Sequence, residues 1–132
     1  MREIKVKTNK RNEMIDITSD IEKLVSDEKI NNGIVTVYCP HTTAAITINE
    51  GADPDVQRDI TIHMKELIPD SKNFKHIEGN SDAHIKSSII GPSQTIIVKN
   101  KKLVLGTWQH VFFYEGDGPR SRKVYIEVIS KE

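Results

Sequence analysis

Val111-Phe-Phe-Tyr-Glu-Gly-Asp-Gly-Pro-Arg120 is an apolar strand running into a glycine-rich turn. Aromatic and β-branched residues favour extended backbone, and Asp117-Gly118 is a strong hairpin signal. Residues 123–129 return as a closing strand, with Val124, Ile126 and Val128 facing one way and Tyr125 and Glu127 the other. Before Val111, residues 94–99 form another strand, Asn100 to Lys102 a turn, Leu103 to Leu105 a short strand and Gly106 to Gln109 a bend. The first half adds strands at residues 4–8, 13–17, 33–39 and 44–49; the β-branched run 33–39 reads as buried on both faces, and Thr43, Ala45, Thr47 and Asn49 share one face of the last.

Helices interrupt these strands at irregular intervals. Ser19-Asp-Ile-Glu22 has the form of a capping box and opens a helix with Ile21, Leu24 and Val25 on its apolar face, closed by Asn31-Asn32-Gly33. Asp53-Pro54 opens a second helix that runs to about Leu67, with Val56, Ile60, His63, Met64 and Leu67 as its stripe. Asn80 and Ser81 can each cap a third, which Gly91-Pro92 ends. The irregular order predicts α+β: a single compact domain over residues 1–132, with mixed or antiparallel sheets in a sandwich-like core and two or three helices. Val111 to Tyr114 is apolar on both faces and needs cover on two sides, which a domain with few helices has little of to give.

Formal net charge is zero, with 19 basic and 19 acidic residues, so there is no electrostatic footprint for nucleic acid or an anionic membrane. Arg2, Glu3, Lys5 and Lys7 break up the start, and no apolar run spans a bilayer. A lone Cys39 excludes an intramolecular disulfide. The expectation is a soluble cytoplasmic protein.

The chemistry concentrates in His76-Ile-Glu-Gly-Asn-Ser-Asp-Ala-His84, which carries two imidazoles, two carboxylates and a carboxamide. A loop delivers His76 and Glu78, and the first helical turn carries Asp82 and His84 beside unpaired N–H groups that favour an anion. His76, Glu78, Asp82 and His84 are metal-ligand types, and His41 completes a three-histidine set that suits zinc, manganese or iron better than magnesium. The competing readings are a hydrogen-bonded polar loop, and acid–base work by His41 or His84 with Asp82 or Glu78. Cys39 beside His41 reads as a small buried residue before a nucleophile. His63 reads as a packed helix residue. Trp108 and the aromatics of residues 112–114 read as core or interface, because no basic stripe accompanies them. Arg120 beside the glycine-rich turn can grip a phosphate with two prongs, or pair with Glu115 across the hairpin.

His41-Thr-Thr-Ala, Asn49-Glu50, Asp53-Pro54, Glu78-Gly-Asn-Ser-Asp-Ala-His-Ile-Lys86, Gly106-Thr-Trp-Gln109 and Glu115-Gly-Asp-Gly-Pro-Arg120 together resemble the YjbQ-like family, also called secondary thiamine-phosphate synthases, over essentially the full chain. The resemblance implies a homotrimeric α+β domain with a polar pocket built from the regions of His41, of residues 76–84 and of residues 115–120. It also implies thiamine-phosphate synthase activity, a transferase reaction; the residues themselves point to an enzyme that acts on a small phosphorylated substrate with a divalent metal at His41, His76 and His84. His41, Glu78, Asp82 and His84 are the candidate catalytic residues. Thr43, Asn49, Glu50, Asn80, Lys86, Gln109, Glu115 and Arg120 are the candidate substrate contacts. His110 stands where a small or apolar residue is expected, so no role is assigned to it. The competing function is a non-catalytic trimeric module that binds a small anionic metabolite.

Overall fold

A computed structural model describes residues 1–131. The chain runs β1 (Arg2–Lys7), β2 (Glu13–Asp16), α1 (Thr18–Asp27), β3 (Gly33–Tyr38), β4 (Ala44–Glu50), α2 (Pro54–Leu67), α3 (Ser81–Ile90), β5 (Ser93–Lys99), β6 (Lys102–Leu103), β7 (Gln109–Glu115) and β8 (Ser121–Ser130). Two antiparallel sheets, ordered β1-β8-β3-β5-β6 and β2-β7-β4, form the α+β domain that the sequence predicts.

Alternation decides which residues enter the core, and it does so in residues 33–39 as well, where burial on both faces is expected but Ile34 and Tyr38 are 37% and 45% exposed because no layer covers the outer face of β3 among the described residues. Val35, Val37, Ile96, Val98, Val124 and Ile126 point inward from the larger sheet, and Ala44, Ile46, Val111 and Phe113 from the smaller. Helix α1 adds Ile21 and Val25 to the same cluster. Phe112 and Tyr114 occupy the other face of β7 and are buried too, where α3 lies on β4 and α2 on β2. The chain therefore covers both faces of residues 111–114 by itself, and that strand needs no second copy.

The connection 116–120 is not a hairpin. β7 pairs with β2 and β4, while β8 pairs with β1 and β3, so these residues carry the chain from one sheet to the other. Links 8–12 and 39–43 cross in the same way. All of them meet at one end of the sandwich. Gly116 N–H donates to Thr43 O, Gly118 N–H to Arg11 O, and Thr8 N–H to Arg120 O. A Cβ on Gly118 would stand 2.2 Å from Lys10 O, so the close approach of two links demands glycine there. Turn chemistry marks the reversal of the chain but not which strand lies beside the next, which is why a crossing reads as a hairpin.

Two helix starts differ from expectation. α1 begins one residue before Ser19, and Asp16 rather than a capping box accepts from the Thr18 N–H and hydroxyl. That carboxylate also meets His110 Nδ1 at 2.5 Å, so His110 ties β7 to β2. Asn80 precedes α3 without capping it, because its side chain is engaged elsewhere. Asp53 does cap α2, through Asp55 N–H. No α2 residue is buried, and His63 lies in solvent beside Glu66 rather than packed.

Glu115 at the end of β7 and Arg122 at the start of β8 close the core between the sheets. Glu115 is fully buried, and Arg122 Nε donates to Oε1 at 2.8 Å while Nη2 meets Oε2. Thr8 hydroxyl donates to Oε1 and Asp117 N–H to Oε2. Arg122→Met leaves that carboxylate buried without its cation and is expected to cost about 3–5 kcal/mol in chemical denaturation. A loss below about 1 kcal/mol would show that water or a neighbouring donor replaces the guanidinium.

Candidate functional site

The crossing links and α3 together build two adjoining environments. The first is an open cleft of about 510 Å³ lined by Tyr38, Cys39, Pro40, His41, Thr42, His84, Ser87, Ser88 and Pro92. Pro40 ends β3 because it cannot donate to the ladder, and the following turn puts His41 at the rim. The α3 register places His84, Ser87 and Ser88 on one face, following the i, i+3, i+4 rule. His76 stands edge-to-face on His84, with ring centroids 5.3 Å apart. Of the three histidines that the sequence groups, His41 and His84 line the cleft, and His76 touches His84 without lining it.

Their chemistry differs. His41 Nε2 accepts the Lys123 N–H at 2.9 Å, and the ring stands edge-on to Phe113. Burial, then the Arg122 guanidinium, holds its pKa below the usual histidine range. Ser87 and Ser88 hydroxyls donate to Ala44 O and His84 O. Cys39 is buried, and burial pushes its thiol up to about 11, so it is no nucleophile at neutral pH.

The second environment is a polar network beneath the links. Lys86 Nζ, 1% exposed, bonds Asp82 Oδ2 at 3.1 Å and Asn12 Oδ1 at 3.4 Å. Arg11 Nη2 reaches Asp82 Oδ1 at 3.0 Å, and Arg11 Nε lies 3.6 Å from Asp117 Oδ1. Asn80 Nδ2 and Arg120 Nη2 both donate to Asp117 Oδ2. Burial raises the Asp117 pKa, but these donors and the two guanidiniums outweigh it and hold the carboxyl below its usual value. Tyr114 hydroxyl and Asn80 Oδ1 are sealed from solvent and unbonded among the described residues. Burial, with Asp82 nearby, pushes the Tyr114 hydroxyl up to about 12.

Several expected roles change on this geometry. Asp82 is inside and neutralised by Lys86 and Arg11, which removes it from ligation and from acid–base work in the cleft. Lys86 is pinned and buried, so it cannot reach a substrate phosphate. Glu115 is sealed behind Arg122, and Thr43 hydroxyl accepts from Arg122 Nη2 at 2.8 Å, so both are structural. Arg120 pairs with Asp117, through its carboxylate and its backbone oxygen, and not with Glu115. Asn49, Glu50 and Gln109 lie at the opposite end of the smaller sheet, six β4 residues or about 20 Å from the Ala44–Glu115 pair. There Gln109 Oε1 accepts Gly106 N–H, and Asn49 Oδ1 accepts Glu50 N–H.

The metal set does not close within one chain. Among the described residues, no three His, Cys, Asp or Glu side chains converge on a common ligation point. His41 has its one neutral lone pair engaged, and Asp82 is paired, which leaves His76, His84 and the exposed Glu78 as donors. Arg11, Asp117 and Arg122 are the residues that sequence reasoning missed. Their signal is indirect: an arginine in a turn, and an arginine one position inside a strand where alternation calls for an inward apolar side chain.

The model of the family described as UPF0047 protein YjbQ-like matches residues 2–131. A UPF0047 protein of Methanocaldococcus jannaschii is 57% identical over 124 residues, covering 94% of this chain and 90% of that protein. The UPF0047 protein YugU of Bacillus subtilis is 48% identical over 130 residues, with 98% of each covered. A crystal structure of a YjbQ/UPF0047 protein from Clostridium acetobutylicum superposes with a TM-score of 0.96 at 50% identity, covering 98% of this chain and all of that one. A hypothetical protein from Aeropyrum pernix superposes with a TM-score of 0.94 at 39% identity, over 98% of each chain. Motif order, fold and sequence identity over the whole length agree, and this chain belongs to the YjbQ-like UPF0047 family.

Proposed function

We propose that the His41–His84 cleft binds a small phosphorylated molecule and acts on it as an enzyme resembling secondary thiamine-phosphate synthases. The observation that carries this reading is that His41 and His84 line one open cleft, with His76 edge-on to His84 and the half-exposed Arg120 on the link that follows β7. In the reaction implied by the family resemblance, a hydroxymethylpyrimidine diphosphate loses diphosphate as it joins a thiazole phosphate. Such a step needs positive or hydrogen-bonding groups on the departing oxygens. Arg120 offers its remaining guanidinium N–H groups, His84 a ring with no hydrogen bond among the described residues, and Arg11 a second half-exposed guanidinium. A divalent ion, of the zinc, manganese or iron type, would find the adjacent His76 and His84 rings and would need further donors, since no three ligand side chains converge among the described residues.

The active unit we propose is a homotrimer. Ile34 is the cross-strand neighbour of both Ile97 and Ile129 on the outer face of the larger sheet, and these are 37%, 59% and 53% exposed. A three-strand apolar patch of this kind on an antiparallel sheet favours burial against another surface. Light scattering at micromolar concentration is expected to give three times the mass of one chain, and Ile97→Lys to give a smaller species. A wild-type mass of one chain would overturn the trimer.

Turnover separates this enzyme from a trimeric module that only binds an anionic metabolite. Diphosphate release from the two substrates is expected to fall by at least about tenfold in His84→Ala, as loss of a positioned acid or base requires. A wild-type protein that saturates with either substrate and releases no diphosphate would be the binding module. Arg120→Ala is expected to weaken diphosphate binding, read as a smaller ligand-induced rise in Tm, while costing only about 0–1 kcal/mol of stability. Equal ligand-induced shifts in wild type and variant would leave Arg120 as a brace for the link.

A further inference from the structure

We propose that His41 works in the cleft as a hydrogen-bond donor, presenting Nδ1–H to a phosphoryl oxygen of the ligand, and serves neither as a metal ligand nor as a general base. The phosphoryl identity of the acceptor rests on the function proposed above; the donor role rests on His41 itself.

The ladder between β3 and β8 ends at the Tyr38–Tyr125 pair. Lys123 lies two residues beyond that end, and its N–H donates to His41 Nε2 instead of to a strand. A backbone amide can only donate, so Nε2 must offer a lone pair. Turning the ring over would set a carbon against that N–H and forfeit the bond. Neutral imidazole has one nitrogen that accepts and one that donates, so the proton belongs on Nδ1. Protonating Nε2 as well would set two N–H groups against each other. Nδ1 has no hydrogen-bond partner among the described residues and is not among the buried unpaired atoms, so it is open to solvent. His41 also lines the cleft.

Each alternative role fails on the same lone pair. A metal at Nε2 would have to displace the Lys123 N–H and leave the end of the sheet uncapped. A metal at Nδ1 would have to displace its proton while Nε2 still serves Lys123. A general base needs a lone pair directed at the substrate, and His41 has none to spare. His84 does, since its ring nitrogens make no hydrogen bond among the described residues. The two histidines thereby divide the work: His41 stabilises charge on an oxygen, and His84 handles a proton. A neutral histidine that donates to a developing oxyanion is a sound catalytic device, because its proton is held and not given up.

The test has two arms. In wild-type protein with ¹⁵N-labelled histidine, His41 is expected to show an Nδ1-protonated neutral ring at neutral pH, the minority tautomer of a free histidine side chain. An Nε2-protonated ring or an imidazolium overturns the proposal, and this arm needs no variant. In the second arm, inorganic diphosphate is titrated against wild type, His41→Asn and His41→Gln, each first checked for cooperative melting. Asparagine puts an amide N–H near the place of Nδ1. Glutamine puts an amide oxygen near the place of Nε2, where it can cap Lys123 but offers the ligand nothing at Nδ1. Diphosphate affinity is expected to fall roughly tenfold to a hundredfold in the glutamine variant, the size of a hydrogen bond to a charged group, and to stay within about threefold of wild type in the asparagine variant. Equal binding by wild type and the glutamine variant, or equal loss in both variants, overturns the donor role and leaves the proposed function standing. No diphosphate binding by wild type overturns both.

Discussion

The Glu115–Arg122 pair is the interaction on which the rest depends. It joins the last residue of β7 to the second residue of β8 across the mouth between two sheets. Both side chains are inside, where an isolated charge is costly, so each obliges the structure to supply the other's remaining partners. Thr8 from one crossing link satisfies Glu115, Thr43 from another satisfies Arg122, and Asp117 N–H from the third completes the carboxylate. Three loops that could wander are thereby held to one point. An apolar pair of similar volume would fill the space, but it would give none of the links a reason to sit there. The buried pair is better understood as a device of register and position than as a source of net stability.

Position is what the cleft requires. Thr43 lies two residues after His41 and carries the hydroxyl that Arg122 holds. Arg122 immediately precedes Lys123, whose N–H holds the imidazole. The ion pair therefore fixes His41 from both sides, through its own loop and through the strand it caps. Arg122 also sets the electrostatics, since its charge, after burial, disfavours imidazolium at His41. One buried cation thus orients the ring and adds to the burial that disfavours its charged form.

The sequence made the elements legible and left the pairings dark. Period-two alternation in residues 123–129 names the inward side chains, because a half-buried strand has little freedom in which face it presents, whereas the β-branched run 33–39 hides its one exposed face behind an apolar composition. Asp53-Pro54 and Gly91 mark helix ends through local backbone chemistry that tertiary structure does not override. The link 116–120 reads as a hairpin because glycines announce a reversal, while the choice of neighbouring strand depends on residues 59 to 71 positions away in β4. The window 76–84 stands out by composition alone, yet composition cannot say which side chain faces inward. Asp82 and His84 are two residues apart on α3 and turn to opposite environments, one to Lys86 and Arg11, the other to the cleft.

That split has a consequence for how the family motifs are understood. Residues grouped by sequence as one site separate into a supporting layer and a working layer. Asp82, Lys86, Thr43 and Glu115 spend their charges and hydroxyls on one another and on the links. His41 and His84 line the cleft, with His76 against His84, and they keep at least part of their chemistry free. A residue in the supporting layer matters to a reaction only through the geometry it imposes, so its loss should be felt in folding before it is felt in chemistry. A residue in the working layer has the reverse signature. The dense polar window is therefore not a richer active site than the reaction needs. It is an active site together with the scaffold that holds three crossing links in place, written in the same few residue types because both tasks call for charge, hydroxyl and imidazole.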